Sequence, residues 1–477
     1  MKRAGVAIVV LCFASLASAQ MKPDATPKAA QSAAPDASAT SPEASLASRQ
    51  TLTLQQAVRI ALEKNPTLQA SEAYAEAVQK TIAEAKALRY PRLDFAEGFT
   101  RGNNPVYVFG TLLTQRQFSA GDFALNFLNA PLPIDNFQTS LTASMPLYDA
   151  GQTNRRVRDA RLREQSAAEG RRRTQQEVVF RVISAYLNGL LAKQSVRVAD
   201  SAVRMTRSDL QKAQARLQNG MAVASDALSA QVQLAQAEQN LLQAQNAVKL
   251  SQAALNVAMG LPEDSPTRIK GALQERTFQA GSLAPLETRA LTMRPDYIQA
   301  ELGRRRAANG SSMARAEFLP KIGLFGSWQN DNQTFTTRGG NNWLAGASLT
   351  FNIFNGGADR ARLAEAKARE IQASASLSEV AATVRYQVRE AYLNLETAGK
   401  RVRVSRDAVS QAEESLRILR NRYGQGLLTI TDLLQAETAR TRAQENYWNA
   451  VFDYRISYAA LEMAAGELSS NSPAVTQ

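Results

Sequence analysis

The sequence runs to 477 residues, enough for two or three ordinary domains or for one elongated one. Its 56 Lys and Arg against 43 Asp and Glu leave a formal charge of +13, which raises nucleic acid or an anionic membrane surface as partners. With no histidine, the commonest general base and the commonest transition-metal ligand are both absent, and there is a single cysteine, which counts against an enzyme.

The chain opens with Met1-Lys2-Arg3, an apolar stretch from Val6 to Phe13, and Ala17-Ser18-Ala19 before Gln20. This is the pattern of a secretory signal peptide over residues 1–19. Cys12 sits inside the apolar stretch, ahead of the cleavage site, so the exported chain is expected to carry no cysteine, disulfide or lipid anchor. Export also disfavours nucleic acid as a partner. Residues 20–50 are mostly Ala, Ser, Pro, Thr and Lys and cannot bury enough apolar surface to offset ordering, so a flexible tail is expected there. No later stretch approaches the ~18 apolar residues of a membrane helix, so any bilayer crossing must be by strands.

Leu54, Val58, Ala61 and Leu62 are helically spaced, and Asn65-Pro66 separates that helix from a second one ending near Arg89. From Tyr90 the period changes to two. Strands are predicted over about 90–103 and 136–148, where Phe137, Leu141, Ala143, Met145 and Leu147 alternate with Gln138, Ser140, Thr142 and Ser144. Glu97 breaks the apolar face of the first strand. The segment between them, about 104–136, is a long loop rich in Phe and Leu. A soluble antiparallel sheet with one wet face would show the same alternation.

From Gln152 to Gln218 there is no proline, and Val178, Val182, Ala185, Tyr186 and Leu190 recur at helical spacing. A helix that long would reach about 100 Å. It ends at Asn219-Gly220, where glycine suits a left-handed turn, and a return helix follows to Gly260. Residues 261–283, with two prolines and two glycines, read as a connector.

The whole unit then returns. Arg216-Leu217-Gln218-Asn219-Gly220-Met221 recurs as Arg422-Tyr423-Gly424-Gln425-Gly426-Leu427, an offset of 206 that also takes Asp226 to Asp432 and Gly260 to Gly466. Upstream of the strands the offset is 229, which places 23 extra residues in the first hairpin loop. The chain is therefore two repeats, 51–260 and 284–466, with a second strand pair over about 319–332 and 341–354. Residues 467–477 are expected to fray.

Each half reads helix, two strands, long helix, tight turn, return helix. With the exported start and the pattern Ala215-Arg216…Gly220…Asp226…Leu228…Ala230, the sequence resembles the TolC family of outer-membrane efflux proteins over about residues 51–466. The resemblance implies a mostly α fold carrying a membrane β-barrel: a homotrimer in which four strands per chain close a twelve-stranded barrel in outer-membrane lipid, above a long periplasmic α-helical tunnel. It implies a passive exit duct for small molecules, served by a periplasmic adaptor and an inner-membrane RND or ABC transporter, with no cofactor and no metal. A type I protein-secretion or metal-efflux duct would use the same fold. A soluble periplasmic coiled-coil scaffold is the rival outside it.

The resemblance also assigns residues. Asp226 and Asp432 match the family's aspartates at the periplasmic tip, although each also suits the first turn of a return helix, where the helix dipole favours acid. Tyr423 of the family's gate is present, whereas Leu428 stands where its arginine would fall and Gln435 where its second aspartate would fall. A tip held shut by packing of Leu427, Leu428 and Ile430 is the expectation. Asn219, Gly220, Met221 and Gln425, Gly426, Leu427 resemble the turns that meet the adaptor, and the glycines would cap the helices in any case. The arginines at 155–163, 171–173 and 304–306 fit either a solvated helix face or a tunnel lining that favours anions.

Overall fold

The computed structural model describes residues 51–335 and 339–476, so the signal peptide and tail expected over 1–50 lie outside the described residues. The first described strand, β1 (Thr51–Leu52), leads into α1 (Leu54–Lys64), whose start is fixed by a capping box between Thr53 and Gln56. Asn65 then begins α2 (Pro66–Ala87) by accepting from the Thr67 amide, with proline at the first helical position where its missing N–H costs nothing.

The sheet is built from both repeats. β2 (Arg92–Gly102) pairs with β3 (Ile134–Tyr148), which pairs with β5 (Lys321–Asn332), which pairs with β6 (Gly340–Thr350), all antiparallel. The register aligns side chains in rows across the four strands. Leu93, Ala143, Gly326 and Ala345 form one row, and Phe95, Leu141, Trp328 and Trp343 the next, on the same apolar face. The next row on that face is Glu97, Thr139, Asn330 and Asn341. Glu97 therefore belongs to a polar row that runs across all four strands, beyond which Phe99 and Phe137 pair on the same face. Phe95, Trp343 and Leu349 remain exposed, and β2 and β6 are open edges in the single chain.

The loop between β2 and β3 is folded rather than irregular. It holds α3 (Pro105–Thr114) and α4 (Leu125–Asn129), and Val108 and Leu112 pack on Ile134. The last strand is shorter than its alternation, because β5 begins at Lys321 opposite Thr350 and leaves Phe351 to Phe354 without a pairing partner.

α5 (Gln152–Gln218) and α9 (Ala358–Gly424) each span 67 residues and return through α6 (Ala224–Met259) and α10 (Ile430–Ala464). Between the repeats, β4 (Arg268–Ile269) pairs in parallel with β1, and α7 (Leu283–Met293) and α8 (Pro295–Ala316) repeat the broken-helix motif of α1 and α2. The two breaks receive the ends of the return helices. A Cβ on Gly260 would lie 2.6 Å from Lys64 O, and one on Gly466 2.9 Å from the Arg294 nitrogen, and both glycines have positive φ. Only glycine permits that approach with that backbone. Asn65 completes the first junction by donating to Ala258 O at 2.9 Å.

The largest core lies at this level, where α1, α5 and α6 pack Val58, Val182, Ile183, Leu187, Leu255 and Met259 around Ile269 of β4. The C-terminal segment joins it. Residues 467–477 were expected to fray, but Leu468, Ala474 and Val475 of the described residues are buried, the last two on α11 (Pro473–Thr476). Burying those three apolar side chains offsets the ordering of a short tail.

Candidate functional site

The residues singled out at the tip lie where α5 turns into α6 and α9 into α10. Both turns close in the same way: Met221 donates to Arg216 O and Leu427 to Arg422 O, with Gly220 at φ 70° and Gly426 at φ 76°. These are helix ends sealed by a left-handed glycine, after which Met221 and Leu427 stand exposed. Asn219, Gln425 and the two turn glycines are exposed as well.

Beyond the turns the two hairpins differ. Thr429 caps α10 in a reciprocal box with Asp432, whose carboxylate accepts from Thr429 Oγ1 at 2.6 Å. Asp432 thus does the work of a capping residue. The start of α6 at Val223 has no side-chain cap, and Asp226 sits half-buried in its first turn. Gln435 is exposed.

Tyr423 is buried in a small cluster with Ala213, Ala230, Leu416, Ile430, Leu433 and Leu434, and Leu428 packs half-buried against it. Of the three apolar residues expected at the tip, Leu428 and Ile430 join that packing and Leu427 stands exposed. Burial raises the Tyr423 pKa, with the nearby Arg216 opposing.

The sequence reading left the tyrosine without an arginine, and the fold supplies one from the other repeat. Arg216 of α5 places its guanidinium 4.3 Å from the centre of the Tyr423 ring and donates to Tyr423 O at 2.7 Å and Gly424 O at 2.9 Å. The interaction joins a cation–π contact to two charge-assisted hydrogen bonds and ties one hairpin to the other. Its sequence signal is the arginine repeated at 216 and 422, which by itself marks only the duplication.

Two turns above the tip is a buried ionic cluster that sequence reasoning also missed. Glu437 of α10 accepts from Arg420 of α9 at 2.6 Å, and Arg420 lies 3.6 Å from Asp209 of α5, which Lys212 holds at 3.2 Å. Asp209 and Glu437 are both buried, and Asp209 Oδ2, Glu437 Oε2 and Arg420 Nε have no hydrogen-bond partner among the described residues. Burial, and then the neighbouring Asp209, push the Glu437 carboxyl up to about 8. Nothing local marks these residues, since they come from three helices and two repeats.

The arginines of the upper helices divide. Arg163 and Arg306 share Asp159, Arg173 pairs with Glu177, and Arg304 and Arg305 share Glu301, whose pKa falls to about 2 mainly through its bond from Arg304. Arg156, Arg158 and Arg161 have no carboxylate partner among the described residues.

Among the described residues no helix is long and apolar enough to cross a membrane. The chain matches the outer membrane efflux protein family over residues 57–261 and 286–467. It is 25% identical to the alkaline protease secretion protein AprF of Pseudomonas aeruginosa over 427 residues, covering 86% of this chain and 83% of that one. It is 26% identical to the outer membrane protein TolC of Escherichia coli over 230 residues, 45% of this chain and 43% of that one. The crystal structure of the outer membrane protein VceC of Vibrio cholerae superposes with a TM-score of 0.72 at 20% identity, covering 87% of this chain and 96% of VceC. With both repeats matched and the fold shared along nearly its whole described length, the chain belongs to the outer membrane efflux protein family, whose members are channels of the outer membrane and not enzymes.

Proposed function

We propose that three copies of this chain close their sheets into one twelve-stranded barrel and their helices into one periplasmic tunnel, forming a passive exit duct. The observation that carries this reading is the four-stranded sheet itself. It has an exposed apolar band bordered by a polar row, with Phe99 and Phe137 beyond it, and two open edges, β2 and β6. Open edges cannot be satisfied in hydrocarbon, whereas a closed ring of sheets leaves none. The detergent-solubilised protein should run as a trimer and open pores in a planar bilayer. A chain that stays monomeric in water without affinity for lipid would defeat the proposal and leave a soluble scaffold.

At the tip, the resting state is held by Leu428 and Ile430 packing around Tyr423 and by Arg216 bridging the hairpins. The exposed turns, Asn219-Gly220-Met221 and Gln425-Gly426-Leu427, receive a periplasmic adaptor, which brings an inner-membrane RND or ABC transporter. In the trimer Asp226 and Asp432 would place six carboxylates around the passage. Leu428→Ala should raise the resting single-channel conductance; an unchanged small conductance would remove packing as the latch.

A second reading, exit duct of a type I protein-secretion system, draws support from the relative that matches over most of both chains, which is named for protease secretion. Co-purification with an ABC transporter and loss of a secreted protein on deletion would favour it, and co-purification with an RND pump would favour small-molecule efflux.

A further inference from the structure

The four junctions that join the sheet to α2, α5, α8 and α9 each carry an exposed aromatic: Tyr90 before β2, Tyr148 at the end of β3, Phe318 before β5, and Phe351 with Phe354 after β6. Membrane barrels place such girdles at the headgroup level. Trp328 and Trp343 lie further from those junctions, in the row next to the polar one. The aromatic junctions therefore locate the periplasm-facing boundary of the bilayer along the chain.

Cationic side chains gather at the same junctions. Arg89 ends the turn after α2, Arg156, Arg158 and Arg161 occupy the first ten residues of α5, Arg315 lies at the end of α8, and Arg360 at the start of α9, all exposed. At 1.5 Å per residue, Arg161 lies about 14 Å along the helix from its first residue. Arg89 donates to Asn154, and the other five have no carboxylate partner among the described residues. The first turn of α5 contains no acidic residue at all. The helix dipole is answered by Asp149, just ahead of α5, which accepts from the Gly151 and Thr153 amides at 3.0 and 2.6 Å and leaves the arginines unpaired.

Two residues along a helix rotate by about 200°, so Arg156 and Arg158 project to opposite sides of α5. Both are exposed in the single chain.

We propose that these arginines form a collar that binds anionic phospholipid, with phosphatidylglycerol-type headgroups of the inner leaflet as partners of the exposed, unpaired guanidinium groups. The collar rests on the outer-membrane barrel reading and adds to it a lipid preference at one leaflet. Exposed cations next to a bilayer attract anionic lipid additively, and salt weakens the attraction.

The test uses the full exported chain in mixed micelles holding equal phosphatidylglycerol and phosphatidylcholine, with retained lipid read by native mass spectrometry. The wild type should retain phosphatidylglycerol in roughly tenfold preference, and the preference should decline with added sodium chloride. The combined variant R156Q/R158Q/R161Q/R360Q should fall close to parity, while R156K/R158K/R161K/R360K keeps the preference. Equal retention of both lipids by the wild type, or an undiminished preference in the glutamine variant, overturns the proposal. So does a glutamine variant whose lipid preference is intact but whose reversal potential in a salt gradient shifts, because those arginines would then line the tunnel. Pore formation by the wild-type preparation reads the duct separately: pores without a lipid preference defeat the collar alone, and absence of pores defeats both.

Discussion

α5 and α9 have the same length and much the same apolar pattern, yet they live in different surroundings. Leu187 of α5 is 1% exposed, and its counterpart Leu393 on α9 is 51% exposed. Val198 is 6% exposed and Val404 is 69%. α5 packs against α1, α2, α6, α8 and α10, whereas α9 has α7, α8 and α10. A duplicated helix that keeps its apolar side chains after losing their neighbours has kept them for something outside the single chain, which on the proposed assembly is the next copy. The tip repeats the lesson, with Leu434 at 8% and Leu228 at 61%.

The sharpest way to break this comparison is to truncate both members of a pair. Leu187→Ala should lower the stability of the chain itself by about 2–5 kcal/mol, read as a drop in thermal midpoint. Leu393→Ala should leave local helix packing intact and weaken the trimer, read by native mass spectrometry. If both act equally on a monomeric species, the α9 face is not an interface.

The buried cluster sets the α5–α9–α10 seam apart from its repeat-related positions. Glu437 holds its proton in the folded chain up to about pH 8 but ionises near 4.5 when unfolded. Between those values the folded state binds more protons, so this group lowers stability as pH rises through the window. Limited proteolysis of the tip should accelerate from pH 6 to pH 9 in the wild type, and Glu437→Gln should flatten the profile. An unchanged slope in the glutamine variant would assign the pH response elsewhere.

The smallest expected effect separates the two turns. Thr429→Ala removes the cap of α10 and should cost about 1 kcal/mol. Val223→Ala, at the uncapped start of α6, should change stability little, and a loss matching that of Thr429→Ala would show that the boxed Asp432 contributes nothing.

Much of the architecture was legible in the residues. The period-two stretches marked the strands, and the proline-free runs marked the long helices. Repeated glycines marked the turns, and the constant offset revealed two copies of one unit. These are local signals, because periodicity and backbone conformation are set by residues within a few positions of one another. The pairing of Thr51–Leu52 with Arg268–Ile269 was invisible because two residues carry no period. The C-terminal segment was misread because only its docking makes three scattered apolar residues a core.

By itself, then, the sequence determined the duplication, the elements and the kind of surface each presents. Only the tertiary structure decided which copy of a repeated residue is buried, that Arg216 reaches across to Tyr423, and that Asp209, Arg420 and Glu437 meet. Burial and charge pairing depend on neighbours hundreds of residues away, and two similar stretches of sequence acquire different neighbours once they occupy different places in one fold.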